Sequence, residues 1–460
     1  MARVRTAPLI CALTFVAMSA AAAAELPPPA YVVLGAKGPV ARAIVIPDAN
    51  KNIPPCPRIT VDNTPNDMIV RAEPDGGNFN IRVCEFVLGS ATSATIGDQK
   101  LPLPPSNLNS IAVFGDTGCR LKAGKNAALA AKDPDEVDEV EEGGKYQDCN
   151  DPVDWPFAYM SGRIAKAKPD LVVHVGDYYY RESACPPGNS GCDGSPHGDN
   201  WDSWAADFFT PAALLLKAAP WIVVRGNHED CGRGGPGYAR LLDPRPANEM
   251  PAQCEKIISQ YSVTVGGQTF IVLDSSDAKD ECSSPKDCNS EDYTRQFEAM
   301  RPPRPGTWLI THKPIWGFTQ KKDKSGEPKL GRRNSTLQFA VAKWKGVPPK
   351  DIDLVLSGHI HLWEALSFDP NGRPPQLVLG NGSTELAKKI TLPLNGRKIG
   401  GRTVGVDVAT DHLFGYTLFA PSQRGKHWKA TSYDACGAAE LACDVETSKV
   451  TCRKASKYWR

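Results

Sequence analysis

The chain has 460 residues and a formal net charge of +1 at pH 7, with 53 Lys and Arg against 52 Asp and Glu. That length has room for two domains, and 41% hydrophobic residues provide for a sizeable core. A near-neutral balance gives no general cationic or anionic field for binding nucleic acid or a membrane surface by charge alone.

The first residues read as a leader. Arg3 and Arg5 form a basic start, Pro8 to Met18 is apolar, and Ala22-Ala23-Ala24 is a small-residue cleavage site. Residues 1–24 are therefore expected to be a secretory signal. The apolar stretch is too short for a membrane span and no second one follows. The expected localisation is secreted or periplasmic, with no membrane partner. Losing the two arginines takes the charge from +1 to −1. Export suits the cysteines, since 13 of the 14 lie beyond Cys11 and an oxidising compartment favours disulfides. Spacing suggests Cys185 with Cys192, Cys231 with Cys254, Cys282 with Cys288, Cys56 with Cys84 and Cys119 with Cys149. Cys436, Cys443 and Cys452 then leave one over, to be a free thiol or an intermolecular bond. No zinc-finger spacing is present.

Residues 25–108 carry short strand-like runs: Ala41 to Ile46, Met68 to Ala72 and Asn80 to Val83. They predict a small all-β domain without a catalytic cluster, whose partner is left open. Pro102-Leu103-Pro104-Pro105 reads as a stiff linker. From about Asn109 strands alternate with helix-like stretches at Pro156–Lys168, Trp201–Leu216 and Thr336–Lys345, which argues for βαβ units and a largely parallel core. Lys132–Glu142, with eight charged residues, and Cys185–Asn200 read as loops. The chain after about residue 425 is polar and cysteine-bearing, an expected tail at 426–460.

Five apolar runs in the 109–425 segment end in ligand-type side chains. Ile111 to Phe114 leads into Gly115-Asp116-Thr117-Gly118, and Leu171 to Val175 into Gly176-Asp177-Tyr178-Tyr179-Tyr180. Trp221 to Val224 leads through Arg225 into Gly226-Asn227-His228-Glu229. Trp308 to Ile310 leads into Thr311-His312, and Ile352 to Leu356 into Ser357-Gly358-His359-Ile360-His361. Strand-end loops of an open α/β sheet are where such folds place their sites. Carboxylate, amide oxygen and imidazole suit Zn, Mn or Fe at a hydrolytic site, and the Tyr180 phenolate favours Fe(III). Two metals roughly 3.5–4 Å apart, bridged by a carboxylate such as Asp177, clamp a phosphoryl group and generate hydroxide.

In their order these motifs resemble those of the calcineurin-like metallophosphoesterases, and most closely the purple acid phosphatases, over roughly residues 109–425. The resemblance implies an α/β fold, an αββα metallophosphoesterase sandwich. It also implies one metal, Fe(III), on Asp116, Asp177, Tyr180 and His361, and a second, Fe(II), Zn(II) or Mn(II), on Asp177, Asn227, His312 and His359. His228 is not a ligand in that family; it faces the phosphate, hydrogen-bonding the oxyanion or protonating the leaving group. The implied activity is hydrolysis of phosphate monoesters by a metal-bound hydroxide. One departure stands out. The family's second active-site histidine has no counterpart in Lys313–Lys345, which carries Lys321, Lys322, Arg332 and Arg333 instead, as candidate phosphate-binding cations or a solvated basic loop.

His174 reads as a core or supporting residue, and His197, His412 and His427 as peripheral. Asn334 and Asn381 head glycosylation sequons, of consequence only in a eukaryotic host. The alternative function is a phosphodiesterase or nucleotidase on the same metals, for which Trp201, Trp204, Tyr178 or Trp363 could stack a base; nucleotides are the only nucleic-acid-like partner expected. A binding protein acting through the β domain is the reading from a different class, and the complete ligand set argues against it.

Overall fold

The computed structural model describes residues 30–124, 144–300, 304–323, 325–342, 351–369, 373–405, 409–422 and 427–455. The leader expected at 1–24 and the acidic stretch Lys132–Glu142 lie outside them. Two large sheets make the frame. In the first, strands Ile111–Phe114, Leu171–His174 and Trp221–Val223 are parallel neighbours. In the second, Gln268–Leu273, Thr307–Thr311, Ile352–Ser357 and Gln376–Leu379 are parallel neighbours.

Alternation along the strands explains the layering. Side chains two apart on a strand share a face. Ile111 and Val113 pack with Val173, Ile222, Phe270, Ile310, Leu356 and Leu377 in the core between the sheets. Ala112 and Phe114 turn the other way, onto a second core with Phe157, Met160 and Ile164 of helix Phe157–Ala167 and Leu215 and Leu216 of helix Ala213–Ala218. The outer face of the second sheet, with Ile271, Leu309, Val355 and Val378, receives Tyr293 and Phe297 of helix Ser290–Ala299 and Leu337, Ala340 and Val341 of helix Ser335–Ala342. The result is the expected αββα sandwich. The helix expected at 201–216 is split: Trp201–Trp204 runs on through a π-turn at Ala205–Phe209 before Ala213–Ala218.

The all-β character expected for residues 25–108 holds, but its strands divide. Arg58–Val61, Thr64–Asp67, Ala94–Ile96 and Gln99–Lys100 form their own four-stranded sheet. Tyr31–Gly35, Gly38–Val45, Arg82–Val87 and Ile69–Ala72 instead extend the first central sheet, Val33 pairing in parallel with Trp221. The segment expected as a tail at 426–460 does the same on the far side: Gly415–Pro421, just before it, pairs with Ile111–Phe114, and the tail's strands Trp428–Asp434, Ala439–Glu446 and Lys449–Lys454 continue the sheet from there. Among the described residues the first sheet thus reaches 11 strands.

The five disulfides expected from spacing are formed, and Cys443 pairs with Cys452. Cys436 is disulfide-bonded as well, so the cysteine expected to be left over is not a free thiol; no described cysteine is. This density of cross-links belongs to an oxidising compartment. Among the described residues no helix is long and apolar enough to cross a membrane.

A buried ion cluster locks the N-terminal strands to the segment after Asn227. Glu85 lies opposite Arg42 on the neighbouring strand and takes Arg71 at 2.8 Å and the Ala247 N–H at 2.6 Å. Arg42 and Arg71 donate to the carbonyls of Leu241, Ala239 and Arg245. Burial, and then the neighbouring Arg71, lower the Arg42 pKa to about 10. Glu85→Ala leaves both guanidiniums buried without their counter-ion and is expected to cost roughly 3–5 kcal/mol. Urea unfolding measures this, and a loss below about 1 kcal/mol would show that the cluster does not hold the two parts together.

Candidate metal centre

All five ligand-bearing loops emerge from the C-terminal ends of parallel strands, three from the first sheet and two from the second. They meet at one edge of the sandwich. The chain turns sharply there: Asp116, Asp177 and His359 have φ of 58°, 59° and 69°, in the left-handed region that non-glycine residues rarely occupy. Backbone held in this way clusters at functional sites, where surrounding contacts over-determine it. Gly226 is required by proximity, since a Cβ there would stand 2.0 Å from Asp177 Oδ1.

The supports are buried carboxylates. Glu229 accepts from the N–H groups of Asp177, Tyr178, Tyr179 and Gly226 at 2.8–3.1 Å. Burial first, and then Asp177, raise its pKa to about 8. Asp207 accepts from the N–H groups of Cys119 and Tyr180 and from Arg181 Nε, joining the loops after the first two strands. Ser383 and Thr384 donate their N–H groups to the Asp116 carbonyl at 2.9 and 3.0 Å, which brings the segment after Asn381 to the site.

The expected ligands fall into two groups sharing Asp177. In one, Tyr180 Oη lies 2.7 Å from Asp177 Oδ2, 3.2 Å from Asp116 Oδ1 and 2.9 Å from His361 Nε2. His361 Nδ1 is 2.7 Å from the Glu385 carbonyl. A carbonyl only accepts, so Nδ1 carries the proton and Nε2 presents a lone pair. One phenolic proton therefore serves three acceptors. In the other group His312 Nδ1 donates to the Val175 carbonyl at 2.8 Å. Its Nε2 then faces Asn227 Oδ1 at 2.9 Å and Asp177 Oδ2 at 3.1 Å. Burial would lower the His312 pKa, yet the Asp177 carboxylate outweighs it and the net shift is upward. Asp177, His312 and His359 each offer a ligand atom within 4.8 Å of the others. Acceptors crowded around so few protons are the environment a cation satisfies, and the residues fit a pair of metal ions. Burial, Asp177 and Asp116 push the Tyr180 phenol well above its ordinary pKa, so only a strongly Lewis-acidic ion would ligate it as phenolate.

His228 stands beside this set. Its ring centroid is 3.9 Å from that of Tyr180 and its Nε2 is 4.0 Å from Asp177 Oδ2. Nδ1 lies 2.7 Å from Glu182 Oε1. Burial raises the Glu182 pKa, but His228 and Arg233 outweigh it and leave the carboxyl at about 2.

Besides Asp207 and the Glu385 carbonyl, two site residues escape the sequence reading. Glu182 is one. The other is Asp280, whose Oδ2 is 2.5 Å from His359 Nε2 and 3.3 Å from Arg333. Burial opposes its ionisation, but His359, Lys313 and Arg333 hold it well below the usual carboxylate range. His174 is buried beneath the site, bonded to Thr117 Oγ1 at 3.0 Å and to the Gly176 N–H, and stacked on Tyr178. Both sequon asparagines are buried and bonded, Asn334 to Asp280 and Asn381 to the Leu413 carbonyl, so neither is open to a glycan in the folded chain.

The centre opens into a cleft of about 650 Å³. Tyr180, His228, His359 and His361 line it, as do Lys321 and Arg333 from the segment without a second histidine. Trp201, Trp204, Tyr178 and Trp363 do not line it; Trp204 stacks on Tyr179, and Trp363 donates to Thr417 inside the core. The Glu229→Gln change puts an amide where four N–H donors converge. It is expected to weaken metal affinity by about 10–100-fold, measured by competition with a chelator; unaltered affinity would separate Glu229 from the centre.

A search of curated proteins finds no significant match. Among solved structures the chain is similar to purple acid phosphatase PPD1 from yellow lupin (Lupinus luteus) seeds, at 12% identity and a TM-score of 0.52, over 91% of this chain and 74% of that one. It is also similar to PhoD, at 12% identity and a TM-score of 0.51, over 93% and 90% of the two chains. At such identities the likeness is one of fold. The family model for calcineurin-like phosphoesterases matches residues 110–362, a span that holds all five motifs and both ligand groups. That span is more than half of the chain, and the chain belongs to the calcineurin-like phosphoesterase family.

Proposed function

We propose that the protein is a secreted or periplasmic phosphatase that hydrolyses phosphate monoesters at a dinuclear metal centre. The observation carrying this reading is the convergence of two acceptor-rich groups on Asp177 at the floor of a cation-lined cleft, with His228 alongside. Asp116, Asp177, Tyr180 and His361 would hold Fe(III). Asp177, Asn227, His312 and His359 would hold Fe(II), Zn(II) or Mn(II). When bound, such a pair supplies Lewis acidity to the phosphoryl oxygens and acidifies a water.

The chain's own residues do the rest. His312 and His361 keep their Nδ1 protons on the Val175 and Glu385 carbonyls and present Nε2. Asp280 holds the His359 ring through Nε2. Glu182 fixes the His228 ring through Nδ1, leaving Nε2 to donate to a phosphoryl oxygen or to the leaving alkoxide. His228 first, and then Arg233 at 3.5 Å, keep that carboxylate ionised. A disulfide-rich chain supports export. The phosphodiesterase or nucleotidase reading keeps the same centre; Trp201, Trp204, Tyr178 and Trp363 do not line the cleft, where the aromatic side chains among the described lining residues are Tyr146 and Tyr180.

The deciding measurement is kcat/KM of the purified protein on an aryl phosphate monoester and the matching diester, with iron and zinc assayed on the same sample. Monoester preference with bound iron supports the reading; diester preference moves the function to phosphodiesterase. Asn227→Ala and His359→Ala should each lower metal content and reduce turnover by more than about a hundredfold, and undiminished turnover in either would sink the ligand assignment. Glu182→Gln should lower kcat about 10–100-fold at unchanged metal content with KM within about threefold, Glu182→Asp recovering part of the loss. A fall in metal content instead would make Glu182 a support of the centre rather than of His228.

A further inference from the structure

We propose that the Cys231–Cys254 disulfide is a thiol-exchange site, through which a dithiol reductant slackens the turn that carries His228. The exchange stands independently of the phosphatase reading; its effect on turnover rests on that reading. Six disulfides join described cysteines. In five of them one partner is buried, at 2% exposure or less: Cys84, Cys119, Cys192, Cys288 and Cys443. Cys231 and Cys254 are both exposed. An attacking thiolate must reach a sulfur, so access separates this bond from the other five. Arg225 adds a chemical reason, with Nη2 3.5 Å from Cys231 Sγ and 3.3 Å from Cys254 Sγ. A neighbouring cation favours the thiolate form of a leaving sulfur. The reductant's first thiolate bonds to one of the two sulfurs. The S–S bond breaks, and its electron pair stays on the other sulfur as a thiolate beside Arg225. The reductant's second thiolate then displaces the first cysteine and closes the reductant's own disulfide. Two electrons pass to the protein, and the two protons of the dithiol end on Cys231 and Cys254.

The bond ties the site to a loose segment. Cys231 belongs to a tight turn that begins at Asn227 and His228. The N–H groups of Gly234 and Gly235 donate to the His228 and Asp230 carbonyls at 3.0 and 2.9 Å. Arg233 donates to the Asn227 carbonyl and pairs at 3.5 Å with Glu182, the carboxylate that fixes the His228 ring. Cys254 stands in the stretch 251–260, which has no helix or strand and is exposed from Pro251 to Lys256. The disulfide joins the two across a separation of 23 residues, and such a cross-link removes freedom that the open chain would regain. Arg225 spans the same gap, donating to the Glu229 and Glu255 carbonyls at 2.7 Å each. A thiolate beside it competes for that guanidinium, so reduction weakens both ties together. The Glu229 carboxylate keeps its N–H donors on Gly226, Asp177, Tyr178 and Tyr179, none of which lies in the tethered stretch. The ligand loops therefore stay gathered while the His228 turn loosens.

The test treats the metal-loaded protein with graded dithiothreitol, then alkylates it and identifies the labelled cysteines by peptide mass spectrometry. Cys231 and Cys254 should be labelled at about a tenth or less of the reductant that the other five pairs require. At that concentration amide hydrogen exchange should rise in residues 227–235. On an aryl phosphate, kcat should fall about tenfold with KM within about threefold, metal content unchanged and turnover restored on reoxidation. A Cys231→Ser, Cys254→Ser variant should show the raised exchange and lowered kcat without reductant, and no further response to it. Another described pair labelled first, or together with these two, overturns the proposal, as does selective labelling with unaltered exchange in 227–235. A loss of turnover that reductant causes equally in the double variant assigns the effect to the metal centre and overturns the link to His228. If no aryl phosphate is turned over, selective labelling with raised exchange upholds the exchange site and overturns the phosphatase reading alone.

Discussion

The Glu229 carboxylate is the contact on which the candidate centre depends. A single buried side chain gathers the N–H groups of Gly226, Asp177, Tyr178 and Tyr179, donors that no strand could satisfy once the chain has turned away from the sheet. Buried N–H groups left unpaired are costly, so this one acceptor lets two strand-end loops lie against each other. Their contact puts the Asp177 carboxylate between His312 and Tyr180. Asp207 repeats the device between the Asp116 and Tyr180 loops. The geometry of the ligands is therefore set by carboxylates that would touch no metal.

Charge is arranged in two zones. At the floor, acceptors outnumber protons and the environment calls for cations. Around the rim, among the described residues, basic side chains stand in ion pairs: Arg333 with Asp280, Lys321 with Glu281 and Lys145 with Glu385. Asp280 stands at the boundary, between His359 on the inner side and Arg333 on the outer. A change in that aspartate reaches both zones at once.

Much of this was legible in the sequence because the informative residues are local. Asp116, Asp177, Asn227, His312 and His359 each follow a buried strand within a few residues, so apolar run and ligand appear side by side. The αββα layering follows from the same runs, whose alternating residues serve two cores. Asp280 was missed because it lies seven residues past Leu273 in an acidic, cysteine-bearing loop where nothing distinguishes one carboxylate from the next. Glu182 was missed because its partner is His228, in the loop that follows another strand. Strand character in residues 25–108 was readable, but sheet membership was not. The pairing of Val33 with Trp221 has no signature in either segment. The sequon asparagines show the same limit, since burial and the bonds to Asp280 and Leu413 are tertiary facts.

The route of the N-terminal strands sets how the chain can be divided. Tyr31–Gly35 covers the Trp221–Val223 edge of the first sheet, the strand that leads to Asn227 and His228. A fragment beginning at residue 109 would carry every ligand and still leave that edge bare, with unpaired N–H and C=O groups and the apolar face of Val223 beside them. Open edges of this kind template intermolecular pairing. The segment that holds none of the ligands thus acts as the guard of the strand that does, and light scattering from such a fragment would register its removal as self-association.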